Sequence, residues 1–327
     1  MEQKSIEFPI LGMDLGGTKV EMALVDAEGH SLSVTRYPTH PEKGPEGIIA
    51  DIRASVDECI HKEEHKPHAL GVGVAGQVDF AGTVRFAPNL GWRNVSLQAR
   101  LEEALKLPVV VINDVRAAAW GEWRYGSGKG VDDLAVLFVG TGIGGGVVSG
   151  GHMLAGYSNT CGELGHITVV ANGRHCHCPN KGCLEAYAGG WAIAERAQEA
   201  VHRTPERGQH LMSLVGSIEE ITAATVSQAY HEDDPLAHQL VEETCHYLSA
   251  GIVSIINAFN PSLLVLGGGV IEGLPELIQN VENNVRERAL ESAVENLEVA
   301  KATLGSEACV VGAATLARRK ATRYRQA

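Results

Sequence analysis

The sequence predicts an α/β protein built from two related domains, and three observations carry that prediction. The chain of 327 residues is long enough for two hydrophobic cores rather than one. A strand, glycine-turn, strand unit at residues 10–25 recurs at residues 134–149. Each copy sets its glycines where an apolar strand ends, as a loop that must approach a ligand closely does.

The elements follow in order. Residues 10–14 read as an apolar strand, 19–25 as a second and 31–37 as a third, with turns at Gly16-Gly17 and Glu28-Gly29. Residues 48–59 align Ile48, Ile49, Ile52 and Val56 on one helical face. Residues 70–75 read as a buried strand, 97–105 as a helix, and 109–112 as a strand ending at Asn113-Asp114. The pattern restarts with a strand at 134–139, a glycine turn over 140–146 and a strand at 146–149. A long helix, 244–259, stops at Asn260-Pro261, and a strand at 263–266 runs into Gly267-Gly268-Gly269. Residues 307–319 close the chain as a helix. No low-complexity linker marks a boundary, so pattern alone places it near 114–121. The expected division is 1–117 with 306–327 as the smaller domain and 118–305 as the larger.

Composition narrows the partners. A net charge of −13 disfavours nucleic acid, whose phosphates are held by an excess of Lys and Arg. A nucleotide needs only local backbone donors, a lysine and a metal, so an acidic chain still accommodates one. Residues 1–9 are polar, with no charged region leading into an apolar stretch, and no run approaches the roughly 20 apolar residues of a membrane span. Three of the seven cysteines crowd into residues 176–183. Without a secretory leader that cluster reads as metal binding, and the expected compartment is the cytoplasm.

Asp14-Leu15-Gly16-Gly17-Thr18-Lys19 combines a carboxylate, two glycines, a hydroxyl and a lysine, the makings of a phosphate clamp. Asp14 suits a magnesium ion held through water. The plain alternative is a hairpin turn. Gly140-Thr141-Gly142 opens a second glycine loop, 140–146, that lacks the Gly-Lys-Ser/Thr of a Walker motif and is followed by a strand rather than a helix. Two such loops suggest a nucleotide held across a cleft, with Gly267 and Gly268 passing beside its adenine or ribose. A tight strand-to-helix turn is the simpler reading of that third loop. Asp114, at a strand end, suits a base that accepts a hydroxyl proton in phosphoryl transfer. In isolation an Asn-Asp pair is more often a helix cap.

His166, Cys176, Cys178 and Cys183 have the composition of a closed structural zinc shell, which leaves no open position for catalysis. His175 and His177 are rival ligands on spacing alone, and free thiols are the alternative to any metal. Glu163 and Glu185 flank the cluster, and carboxylates are a common way to hold sugar hydroxyls. Two surface acids would be the bland reading.

These motifs together resemble the ROK family of sugar kinases and repressors, and within it the bacterial glucokinases. The match runs through Asp14–Lys19, Pro88-Asn89-Leu90, Asn113-Asp114, the loop 140–146, Glu163-Leu164-Gly165-His166, the cysteine cluster ending in Leu184-Glu185, and 266–269. The resemblance implies a two-domain, actin-like (ribonuclease H-like) sugar kinase fold with an interdomain cleft. It implies ATP with Mg2+ and transfer to a hexose hydroxyl, most simply O6 of glucose. Mannose, N-acetylmannosamine, N-acetylglucosamine and fructose remain open as acceptors, and polyphosphate as a donor. Asp114 then resembles the catalytic base. Asn89, Asn113, Asp114, Glu163, His166 and Glu185 resemble the sugar contacts, with His166 also ligating the single structural Zn2+. The family often has glycine where this chain has Pro179, so the turn there is expected to differ while the ligands remain. A homodimer or homotetramer is implied. The few residues ahead of Ile10 leave no expected room for a repressor's helix-turn-helix domain. An intact Asp114 argues against a sugar sensor without activity.

Overall fold

Strands come first in this chain and set its layers. A computed structural model describes residues 9–63 and 66–326, so the reading of residues 1–8 as lacking a leader lies outside the described residues. The chain divides into two units. The first comprises the residues up to Gly130, the excursion Leu154–Cys161 and everything from Thr303 onward. The second comprises Val131–Met153 and Gly162–Ala302.

In the first unit β1 (Ile10–Leu15), β2 (Lys19–Val25) and β3 (Ser31–Pro38) form an antiparallel meander. Helix α1 (Gly44–Glu63) leads to β4 (Leu70–Val74), which runs parallel to β1. A small separate sheet follows, made of β5 (Gln77–Val78), β6 (Val84–Ala87) and β7 (Trp92–Val95). Then come α2 (Leu97–Leu105), β8 (Val109–Asn113) and α3 (Asp114–Tyr125). The main sheet has the order β3-β2-β1-β4-β8. Its core joins Leu11, Met13, Leu15, Val72 and Val74 to Ile48, Ile52 and Val56 of α1 and Leu97 and Leu101 of α2. The predicted helical face of 48–59 is therefore the buried one.

The second unit repeats the scheme. After β9 (Leu134–Val139), β10 (Ile143–Ser149) and β11 (His152–Met153), five helices follow. These are α4 (Glu185–Ala188), α5 (Gly190–Arg203), α6 (Gln209–Ser213), α7 (Ala223–His231) and α8 (Pro235–Phe259). The unit is completed by β12 (Leu263–Gly267), α9 (Gly269–Gly273), α10 (Glu276–Arg288), α11 (Glu291–Val294) and β13 (Glu298–Lys301). Its sheet order, β11-β10-β9-β12-β13, is the order of the first sheet over again.

Two expectations shift. The glycine turn after β9 ends sooner than 146, because β10 already begins at Ile143. Gly145 is bare within a strand: a Cβ there would collide with the Val136 carbonyl and with Leu164. The long helix starts not at 244 but at Pro235, where the Asp234 carboxylate caps the Ala237 N–H at 2.8 Å.

The chain returns to the first unit in α12 (Ala308–Gln326). Val310, Ala314 and Ala317 of α12 cover Ile10, Ala23 and Val25 on the sheet face opposite α1. The helix lies unusually close, because Gly12 and Gly71 are paired across β1 and β4. A Cβ on either would run into the Val310 or Ala313 carbonyl of α12, an overlap worth about 1–3 kcal/mol or more. Among the described residues no helix is long and apolar enough to cross a membrane.

Candidate functional site

In the first unit the parallel strands β1 and β8, on either side of β4, carry polar residues near their ends. Asp14 sits near the end of β1, in register with Gly73 of β4. The turn beyond it is closed by Gly16 N–H donating to Lys19 O at 3.1 Å. Thr39 braces that turn, its hydroxyl donating to Gly16 O at 2.8 Å and its N–H to Thr18 O at 2.9 Å. Thr18 and Lys19 are exposed, and the Lys19 ammonium stands 3.9 Å from buried Glu21, which Arg36 holds more tightly at 2.8 Å. Asn89, exposed in the short 3-10 turn Pro88–Leu90, packs its side chain against Gly17.

Asn113 and Asp114 lie where β8 passes into α3. Asn113 is the helix cap, its Oδ1 accepting from Arg116 N–H at 2.9 Å. Its Nδ2 donates to Gly76 O at 3.1 Å and to Asp114 Oδ1 at 3.0 Å. Asp114 Oδ1 also accepts the Val115 N–H at 2.9 Å. The cap reading of Asn-Asp is therefore true of the asparagine and leaves the aspartate free for other work. Burial raises the Asp114 pKa above the ordinary carboxyl value, against the pull of the Val115 N–H. Asp14 is pushed up to about 6, first by burial and then by the negative charge of Asp114, opposed by a Cys309 thiol hydrogen bond and by Lys19. Cys309, buried on α12 beside this pair, has its own thiol pKa driven well up by burial and by both carboxyls.

The second unit carries the remaining predicted residues. The backbone of the loop 140–142 is pinned by Gly140 N–H to Gly142 O at 2.9 Å. The first turn of α5 adds Gly190 N–H to Gly140 O at 2.9 Å and Trp191 N–H to Thr141 O at 3.0 Å. Gly267 ends the neighbouring strand β12, and Gly268 caps α9. Glu185 opens α4 and lies against Gly142 so closely that a Cβ there would meet its Oε2. That Oε2 accepts the Ile143 N–H at 2.8 Å, and Oε1 faces the Trp191 indole N–H at 3.3 Å.

His166, Cys176, Cys178 and Cys183 converge, with all four ligand atoms within 4.8 Å of one another. His166 Nδ1 is 3.6 Å from Cys176 Sγ, and Cys178 Sγ is 3.6 Å from Cys183 Sγ. A tetrahedral zinc with bonds of about 2.0–2.3 Å has ligand edges of about 3.5–3.8 Å, so this donor set fits a metal. His177 is turned away and stacks on Trp191, with centroids 4.0 Å apart, and His175 is exposed. The other ring nitrogen of His166 stands 4.0 Å from Glu163 Oε2. Burial and the crowding of neighbouring thiols push the Cys176 thiol up.

Other residues at these sites carried no sequence signal of their own. Buried Glu122 of α3 accepts from Ser127 N–H at 3.0 Å and Leu304 N–H at 2.7 Å. Arg116 ties the excursion Leu154–Cys161 to α3 through Asn159 Oδ1 at 2.7 Å. The positive φ of Asn159, 65°, favours an asparagine there, but a single asparagine is too common to flag.

Comparison with known proteins finds both kinases and repressors. A family-wide sequence profile described as the ROK family matches residues 10–320. A glucokinase of Streptomyces coelicolor is 35% identical over 94% of this chain and 97% of its own length. A ROK family glucokinase of Streptomyces griseus, solved in complex with glucose and AMPPNP, is 38% identical with a TM-score of 0.82, over 95% of this chain and 99% of that one. A xylose repressor of Bacillus subtilis is 28% identical, over 94% of this chain and 76% of its own.

Proposed function

The chain belongs to the ROK family and has that family's two-domain actin-like fold, and from this premise we propose that it phosphorylates glucose at O6, with ATP as donor. The observation that carries the reading is the state of Asp114. It is a carboxyl of raised pKa at the end of β8, with one oxygen already engaged by Asn113 and Val115. Oδ2 then accepts the proton as the sugar oxygen bonds to the γ-phosphorus and ADP departs. A base of raised pKa takes that proton more readily than an ordinary carboxylate. Support from relatives is specific: the S. griseus enzyme binds glucose and AMPPNP, and the S. coelicolor relative is a glucokinase.

In this reading Asn89 and Asn113 offer amides to sugar hydroxyls, while Glu163, His166 and Glu185 offer acceptors. Thr18, Lys19 and the turn of Gly16 and Gly17 bind phosphates, as does the loop of Gly140, Thr141 and Gly142. Gly267 and Gly268 flank the nucleoside. Asp14, raised in pKa first by burial and then by the neighbouring Asp114 carboxyl, is a group whose ionised form a bound Mg2+ would favour. When bound, Mg2+ neutralises charge on the transferring phosphate. A structural Zn2+ on His166, Cys176, Cys178 and Cys183 fixes the loop that carries His166 and leads into Glu185. Among the described residues no disulfide joins any of the cysteines, and the reducing, ATP-supplied cytoplasm is the setting this reading assumes.

The test is ADP release by coupled assay, with ATP and Mg2+, against glucose, mannose, fructose, N-acetylmannosamine and N-acetylglucosamine. Glucose is expected to give the highest kcat/KM. Silence across the panel from a folded, metal-loaded sample refutes the kinase reading.

A further inference from the structure

Trp191 joins three parts of the second unit that the proposed function uses separately. Its backbone N–H donates to Thr141 O in the phosphate loop at 3.0 Å. Its indole N–H donates to Glu185 Oε1 at 3.3 Å. Its ring stacks on His177, which lies between two cysteines of the metal cluster, at 4.0 Å and 24° between planes. The same ring packs against the small apolar cluster of Cys176, Cys183, Ala186 and Tyr187.

Glu185 is thus gripped from both sides. Ile143 N–H holds Oε2 at 2.8 Å, and the indole holds Oε1. A carboxylate has roughly four lone-pair sites, so two fixed donors on opposite oxygens set its plane and leave the others for a ligand's hydroxyls. Indole N–H is a donor only, so it cannot turn round and compete for the same hydroxyls as an acceptor. Stacking on His177 restricts the indole in turn, which lowers the ordering cost when a ligand arrives.

We propose that Trp191 is a positioning residue for sugar recognition: it orients the Glu185 carboxylate, and His177 holds its ring in place. The proposal rests on the reading of Glu185 as a sugar contact. It differs from a purely covering role for the tryptophan, which any aromatic ring of similar area would fill.

The test uses the full, metal-loaded chain. Glucose affinity is measured by calorimetry without nucleotide, and ATP KM by coupled assay, for W191F, H177A and E185Q. Phenylalanine keeps a ring against His177 and the backbone bond to Thr141 but has no N–H for Glu185. W191F is expected to weaken glucose binding about tenfold, the size of one lost hydrogen bond to a charged group, with ATP KM within about twofold of wild type. H177A, at an exposed position, is expected to weaken glucose about threefold in the same direction, because it loosens a stacked ring. Wild-type glucose affinity in W191F beside a weakened E185Q overturns the proposal and leaves the sugar role of Glu185 standing. Wild-type affinity in E185Q removes that role and the proposal with it. Equal losses for glucose and ATP in W191F also overturn it, since they signal general loosening. Should W191F fail to fold, H177A decides, and wild-type affinity there counts against the proposal.

Discussion

Replacing Asp14 by Asn should stabilise the ligand-free protein at neutral pH while disabling it as an enzyme. The carboxyl titrates near 3.8 in an ordinary setting and is pushed up to about 6 in the fold, chiefly by burial. A difference of about two units corresponds to about 3 kcal/mol. The side chain is only half-buried, so solvent screening brings the expected cost to about 1–3 kcal/mol. The sign follows from proton counts. Below about pH 4 the group is protonated in both states and costs nothing. Between about pH 4 and 6 the unfolded chain releases its proton first, so wild-type stability declines with rising pH, and above that window the full cost is present. The stability advantage of D14N should therefore be absent at about pH 4, grow through pH 6 and then level off. Urea denaturation of both proteins across that range, without Mg2+ or ATP, measures it. An advantage that stays constant with pH, or a variant less stable throughout, refutes the reasoning. Mg2+ with ATP should narrow the gap by stabilising the wild type alone.

Three further outcomes are expected. D114N should lose about 10²–10⁴-fold in kcat, the usual worth of a positioned base, while still binding glucose in calorimetry; a wild-type kcat would remove the base assignment. C178S, or prolonged treatment with a strong chelator, should lower Tm and glucose affinity together, because metal binding is part of the folding free energy. Elemental analysis of the untreated protein should find about one zinc per chain, the stoichiometry of a closed four-ligand site, and its absence would end that reading. E163Q should raise the glucose KM far more than the ATP KM, and equal effects on both would mark the residue as structural.

Glycine-punctuated strands were the legible part of this fold. The apolar runs at 10–14 and 134–139 stop at glycine turns, so the repeated unit stands out, and the two sheets share one strand order. Strands β5, β6 and β7 escaped because strands of two to four residues show no period. Helix α3 escaped for another reason: it is buried along much of its length and includes Arg116 and Glu122 among its buried residues, so no clean apolar stripe appears. The cysteine cluster was legible from composition, but the choice between His166, His175 and His177 was not. It depends on which ring the chain turns inward, and the sequence holds no record that His177 stacks on a tryptophan fourteen residues away. Cys309 was equally silent, since a lone cysteine in an alanine-rich helix looks like any small apolar residue.

The late position of α12 has a consequence for synthesis. The sheet face made by Ile10, Ala23 and Val25 waits for a helix that begins only at Ala308. At about 5–20 residues per second, the roughly 180 residues between α3 and α12 take on the order of 10–40 s to emerge. During that interval the face of β1 and β4 that carries Gly12 and Gly71 lacks its cover, and the second unit, which runs to Ala302, is fully synthesised before α12 is. The first unit of the chain to be made is therefore the last to close.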